Sequence, residues 1–146
     1  MMERREVLVA GAGGIAAVLL ATRDSAAAEP GVGATSAKAD GLAQAAGTCV
    51  VVGSACLQHC LTLLAQGDKS MGDCAKAVTQ MRAVCDAMST LAAYNSAYVP
   101  RLAKVCIDVC GDCEKACRPH AEHHAVCRAC ADSCAATIAQ AKLVAA

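Results

Sequence analysis

The residues best suited to chemistry in this chain are cysteines, four of which lie in the stretch CIDVCGDCEKAC. They are separated by steps of four, three and four residues. An α-helix turns about 100° per residue, so these steps return to the same side of the helix. The stretch therefore predicts a helix with one thiol-bearing face. The cysteines on that face are Cys106, Cys110, Cys113 and Cys117.

The other cysteines follow the same rule in three further segments. They are Cys49, Cys56 and Cys60 in the first, Cys74 and Cys85 in the second, and Cys127, Cys130 and Cys134 in the last. Met81 and Met88 share the face of the second segment. If the last helix begins at Pro119, His120 and His123 share the face of Cys127. An amphipathic helix turns such a face inwards, so the sequence predicts an interior lined by sulfur.

Three kinds of chemistry could explain 12 cysteines in 146 residues. Packing alone is a poor explanation, because cysteine is a small hydrophobe and this chain has no Phe or Trp to build a core with it. Disulfides are usual in exported proteins, but thiols four residues apart on one helix are poorly aimed for the disulfide torsion, which leaves cross-helix pairs. Metal binding explains the pattern best, since soft thiolates select Cu(I), zinc and iron–sulfur clusters.

Charge favours a filled core over one or two isolated sites. Thiolate is the form that binds metal, and burying it without a cation costs on the order of several kcal/mol per ion. One Cu(I) per thiolate would neutralise the interior, and unfilled sites could stay protonated. We therefore expect all twelve cysteines to be ligands of multiple Cu(I) ions, and the core to fill progressively.

The elements that must position these thiols are predicted to be four helices. No segment shows the alternation of a strand, and alanine is abundant. Capping and turn residues predict helices over Ala37–Gln66, from Ser70 to about Asn95, from the Ser96–Pro100 region to about Arg118, and from Pro119 to about Val144. Short connections favour antiparallel neighbours, so the predicted fold is all-α, an antiparallel four-helix bundle with a Cys-lined core.

One end of this bundle is predicted to be a mouth through which ions pass inwards. The end of the first helix, the start of the second, the end of the third and the start of the fourth meet there. Imidazole and thioether are exchangeable copper ligands, and the candidates at this end are His59, Met71, His120 and His123. His124, in the polar turn RPHAEHH, is expected to be solvated. The opposite end is expected to be apolar and closed, around Cys49, Met88, Tyr94 and Tyr98.

The N-terminal segment is predicted to direct export. Residues 1–28 have a charged start, a short apolar run and an A-x-A site, and Arg4-Arg5 resembles a twin-arginine signal. Residues 29–36 are predicted to be a flexible mature N-terminus, and residues 37–146 the bundle. The expected location is the periplasm. The chain is formally neutral, which argues against nucleic acid or an anionic membrane as partner.

Three segments closely resemble the bacterial copper storage proteins. They read TCVVVGSACLQHCLTLLAQGDKSMGDC, LAAYNSAYVPRLAKVCIDVCGDCEKAC and CRACADSC. The resemblance covers the chain from about Thr48 to its end and rests on the Cys-x3-Cys ladder with its S-M-G-x-C and N-S-A-x-x-P landmarks. It implies a four-helix bundle that holds many Cu(I) ions on thiolates, usually as a tetramer, with a twin-arginine signal in the exported branch.

The resemblance also bears on individual residues. His59 and Met71 match mouth residues of the exported branch, while Leu63 and Gln66 stand where that branch has methionines. The last helix has fewer cysteines than is usual in the family, with Ala135, Ala136 and Ile138 following Cys134. These departures concern the number of ions held and their route inwards.

The sequence therefore predicts a Cu(I)-storage protein rather than an enzyme, supplying copper enzymes or removing toxic copper. No Ser/His/Asp arrangement, P-loop or zinc-hydrolase motif is present. A copper donor or acceptor protein is a possible partner. Two alternatives stay open: an exported iron–sulfur electron carrier, whose ferredoxin spacing is not matched by C-x3-C-x2-C-x3-C, and a disulfide-stapled helical interaction protein.

Overall fold

The computed structural model describes residues 32–145, with side chains described from Ser36 onwards. They form four α-helices, α1 Val32–Ala65, α2 Gly72–Ala93, α3 Val99–Cys117 and α4 Ala125–Lys142. Single 3₁₀ turns, Lys69–Met71 and Arg118–His120, lie in the α1–α2 and α3–α4 connections. No strand occurs within residues 32–145. The predicted signal, residues 1–28, lies outside the described residues.

The helices pack as a ring in which each runs antiparallel to its neighbours. Helix α1 packs against α2 and α4, and α3 packs against the same two helices. Cys49 of α1 contacts Met81 of α2, whereas Cys60, further along α1, contacts the earlier Cys74. Residue numbers therefore rise on one helix as they fall on the next. The prediction of an all-α antiparallel four-helix bundle is confirmed.

Two turn residues end α1 and α2 where the sequence predicts an end. Gly67 and Asn95 have left-handed backbones, with φ of 95° and 49°. Glycine adopts this conformation freely and asparagine more readily than most residues, so a helix commonly ends there. After Gly67, the carboxylate of Asp68 accepts a hydrogen bond from the backbone N–H of Ser70 at 3.0 Å. This turn leads directly into the start of α2.

Two helix starts differ from the prediction. Helix α1 begins at Val32 rather than Ala37, so part of the segment 29–36 expected to be flexible is helical. Once a helix is anchored, each further residue adds one hydrogen bond at little cost, and no proline interrupts this stretch. Helix α4 begins at Ala125 rather than Pro119. Pro119 fits the first turn of a 3₁₀ helix as well as that of an α-helix, and here it occupies the 3₁₀ turn.

The core has a sulfur-rich region and an apolar end. At the apolar end, small and aliphatic side chains are fully buried or nearly so; they are Leu42, Ala46, Met88, Ala92, Val99, Ala103 and Ala141. Of the residues around which an apolar, closed end was predicted, Cys49 and Met88 are fully buried, but Tyr94 and Tyr98 are 81% and 65% exposed and do not help to close it. Both follow α2 in the connection to α3, where the chain turns outside the ring.

Helix α1 is the most apolar helix in the described part of the chain. Within Ser36–Ala65, an 18-residue window has a mean hydropathy of 1.6, and the segment is long enough to cross a membrane by length and composition alone. A core helix of a soluble bundle has the same properties, so this is weak evidence for a membrane. In this bundle the cysteine face of α1 packs against α2 and α4.

Candidate metal centre

The structure places all twelve predicted ligand cysteines in the interior, on the inner faces of all four helices. Each is a free thiol with no exposed surface. Helix α1 carries three of them, α2 two, α3 four and α4 three. The steps of three, four and seven produce this arrangement, because they keep each set on the side of its helix that faces the ring axis.

Most close contacts between thiols join cysteines of two different helices. Their Sγ atoms lie 3.3 Å apart in Cys74–Cys117, 3.5 Å in Cys60–Cys74 and Cys85–Cys110, 3.8 Å in Cys49–Cys134 and Cys56–Cys127, and 3.9 Å in Cys113–Cys130 and Cys106–Cys110. Only the last of these pairs belongs to a single helix. An ion held between two such sulfurs would in most cases join two neighbouring helices.

Sets of three or four sulfurs lie close enough to share an ion. Within the described residues, the sulfurs of each set are within 4.8 Å of one another; the sets are Cys56/Cys60/Cys74/Cys127, Cys56/Cys117/Cys130, Cys113/Cys130/Cys134, Cys49/Cys110/Cys134 and Cys85/Cys106/Cys110. Every cysteine of the chain belongs to at least one set. Consecutive sets share one cysteine each, first Cys56, then Cys130, Cys134 and Cys110. The thiols therefore form one continuous series along the bundle.

Burial and sulfur hydrogen bonds move the thiol pKa values in opposite directions. Burial is the main reason that the pKa of Cys60 rises from 9.0 to about 12. The pKa of Cys74 falls to about 3, chiefly because its thiolate accepts a hydrogen bond from Cys117. Cys106 behaves like Cys74, with a pKa lowered to about 4 by a hydrogen bond from Cys110. The core without metal thus combines sulfurs that keep a proton with sulfurs that give one up readily.

The chemistry of the interior suits a soft metal ion. Thr137 is the one buried residue among those described whose side chain is neither apolar nor sulfur-containing, and its hydroxyl donates to the carbonyls of Ala45 and Ser133. No oxygen ligand of the kind that magnesium or calcium requires is therefore free in the described core. Thiolates prefer Cu(I), zinc or iron–sulfur clusters, and a series of shared sulfurs matches bridging thiolates better than separate four-ligand cages.

The predicted mouth contains a histidine pair. The Nε2 atom of His59 and the Nδ1 atom of His124 are 3.0 Å apart, which is hydrogen-bonding distance. The ring of His120 lies 6.4 Å from that of His124 between centroids. Met71 is almost completely buried, one residue before α2 begins. Three histidines and one methionine therefore lie at the end of the bundle where both 3₁₀ turns are found.

Two histidine predictions are wrong in their geometry. His124 was expected to be solvated, but it is half-buried against His59. Its extended backbone, at φ −127° and ψ 100°, precedes α4 and turns the ring back towards α1. His123 was expected on the face of Cys127, but it is exposed in the turn because α4 starts only at Ala125. The sequence could have indicated the His124 pairing only if the true start of α4 had been recognised.

One further sulfur contacts the thiols. The Sγ atom of Cys49 donates a hydrogen bond to the Sδ atom of Met81 at 3.3 Å, and both side chains are fully buried. The sequence places Met81 on the cysteine face of α2, and that spacing was the available signal. Its contact with Cys49 depends on how far α1 and α2 are shifted along each other, which the spacing within one helix does not determine.

Comparison with known proteins agrees with this geometry. The family model described as copper storage protein matches residues 35–146, which covers α1 almost entirely and all that follows it. No curated protein matches the chain significantly.

Proposed function

We propose, from the premise that this chain belongs to the copper storage protein family, that it stores its copper as multiple Cu(I) ions on the thiolates of its core. Storage of copper is the role of the family, and the cysteine clusters supply the ligands for it. We infer that the twelve cysteines hold the ions and that the protein performs no catalysis. The store serves either supply to copper enzymes or detoxification.

The observation that carries this proposal is the continuous series of shared thiols. Consecutive sets share one cysteine, so a sulfur that binds an ion in one set lies within 4.8 Å of the metal-free sulfurs of the next set. Because one Cu(I) balances one thiolate, added ions leave the buried charge near zero at every stage of filling. Isolated sites would not allow this gradual filling, because the thiolates of each site would have to be neutralised by the ion of that site alone.

The histidine pair and Met71 suit the first step of uptake. Imidazole and thioether bind Cu(I) without adding a negative charge, so an ion bound to them still favours transfer to a thiolate. One set of thiols, Cys56/Cys60/Cys74/Cys127, contains Cys74, whose pKa is lowered chiefly by a hydrogen bond from Cys117. We propose that ions pass from His59, His120, His124 and Met71 to the set that contains Cys74, and then inwards.

An anaerobic titration of the reduced protein with Cu(I), followed by ultraviolet charge-transfer absorption, tests the proposal. We expect an endpoint near the cysteine count and a colourless product. An endpoint of one or two ions would overturn storage in favour of a chaperone or structural site. Protein whose thiols have been alkylated is the control and should bind no copper in the core. A brown product after reconstitution with iron and sulfide would support the iron–sulfur alternative.

We also propose export to the periplasm by the twin-arginine route. The support is the layout of residues 1–28, with Arg4-Arg5 before a short, glycine-rich apolar run. Substitution of both arginines by lysine should leave the full-length chain inside the cell, while the unchanged chain is recovered from the periplasm in a shorter form. Equal export of both chains would contradict the twin-arginine route. N-terminal sequencing of the exported form would give the cleavage site.

Association of several copies, as a tetramer, is a proposal that follows from the resemblance. Its support in the structure is the outer face of α1, where Val51 is 71% exposed and Leu61 50% exposed. The sequence has no charged residue between Asp40 and Asp68. Sedimentation of the unchanged protein and of Val51→Asp tests this, and a monomeric mass for the unchanged protein at micromolar concentration would contradict it. A copper donor or acceptor protein also remains a proposed partner.

A further inference from the structure

Met81 brings a thioether into the series of thiols, far from the histidine end. Its Sδ atom is 3.3 Å from Cys49 Sγ, and neither side chain has any exposed surface. Cys49 is also 3.8 Å from Cys134 Sγ and accepts a hydrogen bond from the hydroxyl of Ser133 at 3.5 Å. Cys49 therefore has neutral sulfur, thiol and hydroxyl partners around one sulfur atom.

A glycine on α1 makes the space that this thioether needs. A Cβ atom at Gly53 would lie 2.7 Å from Met81 Cε, closer than real Cβ atoms approach. Glycine is unfavourable in a helix interior, so its presence here at a buried position is explained by the close approach of the methionine methyl group. With the methyl held against Gly53, the sulfur of Met81 is directed at Cys49.

We propose that Met81 and Cys49 form a mixed thioether–thiolate Cu(I) site, in which Met81 is a metal ligand in addition to the cysteines. The site rests on the proposed storage function and adds a ligand to it. On binding, Cys49 releases its proton to solvent, and the single positive charge of Cu(I) balances its thiolate. The thioether completes the coordination without adding charge, so this site requires no thiolate shared with a neighbouring ion.

Met88 is the matched control for this proposal. It lies on the same face of α2, two turns further along, and is equally buried. Within the described residues, its sulfur makes no hydrogen bond to a cysteine, in contrast to Met81. Leucine at either position preserves a large apolar side chain but removes the ligand atom. The pair Met81→Leu and Met88→Leu therefore separates loss of a ligand from a change in packing.

The first test uses protein labelled with ¹³C at the methionine methyl groups, titrated anaerobically with Cu(I). Met81→Leu and Met88→Leu assign the two resonances by their disappearance. We expect the Met81 methyl resonance to shift on loading and the Met88 resonance to shift far less. A Met81 resonance that stays in place while the core fills would overturn the proposal.

The second test measures affinity by competition with a Cu(I) chelator. In Met81→Leu, one class of ions should be removed at a chelator concentration roughly tenfold lower than in the unchanged protein, the scale expected for a disturbed ligand shell. Met88→Leu should match the unchanged protein. Identical curves for all three proteins would overturn the Met81 site while leaving storage intact. An unchanged protein that takes up no copper would instead overturn the storage function itself.

Gly53→Ala provides a variant in which Met81 is present but displaced. The added methyl group meets the flexible end of Met81, and the contact 3.0 Å away is also a side-chain atom, Cγ of Arg82. We therefore expect the protein without copper to remain folded, while its chelator curve shifts in the same direction as that of Met81→Leu. A curve identical to that of the unchanged protein would contradict the role of Gly53 in directing the thioether.

Discussion

At the scale of a single residue, burial makes the thiol of Cys60 harder to deprotonate. Burial and the neighbouring thiol of Cys74 raise the pKa of Cys60 from 9.0 to about 12. The same thiol in an unfolded chain would ionise near its ordinary value. Cys127 has its pKa raised in the same direction, also mainly by burial. These two residues are among the thiols that make the metal-free bundle sensitive to alkaline pH.

The sign of this effect gives the first prediction. A thiol whose pKa is raised on folding stabilises the fold in full below pH 9, and this contribution is lost as the pH rises towards 12. We expect the free energy of unfolding of the metal-free protein to fall across this range in anaerobic urea titrations. Cys60→Ala should show a shallower fall. A free energy that stays constant from pH 9 to 11 would show that Cys60 keeps its ordinary pKa.

The histidine pair gives a prediction about rate rather than capacity. Alanine at His59 or at His124 removes one partner of the 3.0 Å contact and should slow Cu(I) uptake about tenfold, by analogy with other disturbed metal shells. The endpoint of the titration should not change, because the thiols are untouched. Stopped-flow absorption measures the rate, with His123→Ala as control, since His123 is exposed in the turn. A slower rate in the His123 variant would argue for a general effect of the turn.

On the scale of the helix, α3 supplies the densest set of thiols. Cys110 lies 3.5 Å from Cys85 and Cys113 lies 3.9 Å from Cys130, so α3 contacts the sulfurs of both its neighbours. The steps of four, three and four in its sequence make this possible, because they direct successive thiols to alternate sides of one narrow stripe. Loss of thiols from α3 should therefore affect more than one set.

Replacing both Cys110 and Cys113 by alanine should lower the copper capacity by at least two ions, one for each thiolate removed. The helical content should stay unchanged. Alanine is the best helix former, and loss of each small side chain should cost about 1 kcal/mol of stability. The titration endpoint and far-ultraviolet circular dichroism measure the two effects. Gly111→Ala is the control, because a methyl group there has no neighbour within 4 Å. An unchanged endpoint in the double variant would mean that the inner stripe does not hold the metal.

The helices and their inner faces could be predicted from the sequence, because both depend on local periodicity and turn residues. The cysteine steps and Gly67 are such signals, and the structure follows them. The start of α4 could not be predicted, since Pro119 suits two kinds of helical turn equally well. His123 was placed on the face of Cys127 as a consequence. The contact of Met81 with Cys49 depends on the alignment of two helices, which is determined by packing along their whole length rather than by either sequence pattern.

At the scale of the whole molecule, metal and fold should be coupled. An ion that binds the folded chain but not the unfolded chain stabilises the fold. The gain is about 4 kcal/mol when the free ion concentration is 1,000 times its dissociation constant. We expect the unfolding temperature to rise as Cu(I) is added in steps, without a plateau before the core is full. Anaerobic calorimetry at increasing copper content measures this. A temperature that stops rising after one or two ions would indicate that later ions bind outside the core.

The cross-helix sulfur pairs have a consequence for the lifetime of the molecule. Such pairs occur between α1 and α2, α2 and α3, α3 and α4, and α4 and α1, so ions bound in them would fasten the ring on every side. An empty copy lacks these ties between helices and should open more often than a full one, so proteases should cut it more readily. A full copy should resist them. Degradation would then remove idle copies first, and the surviving population would record how much copper the cell has recently met.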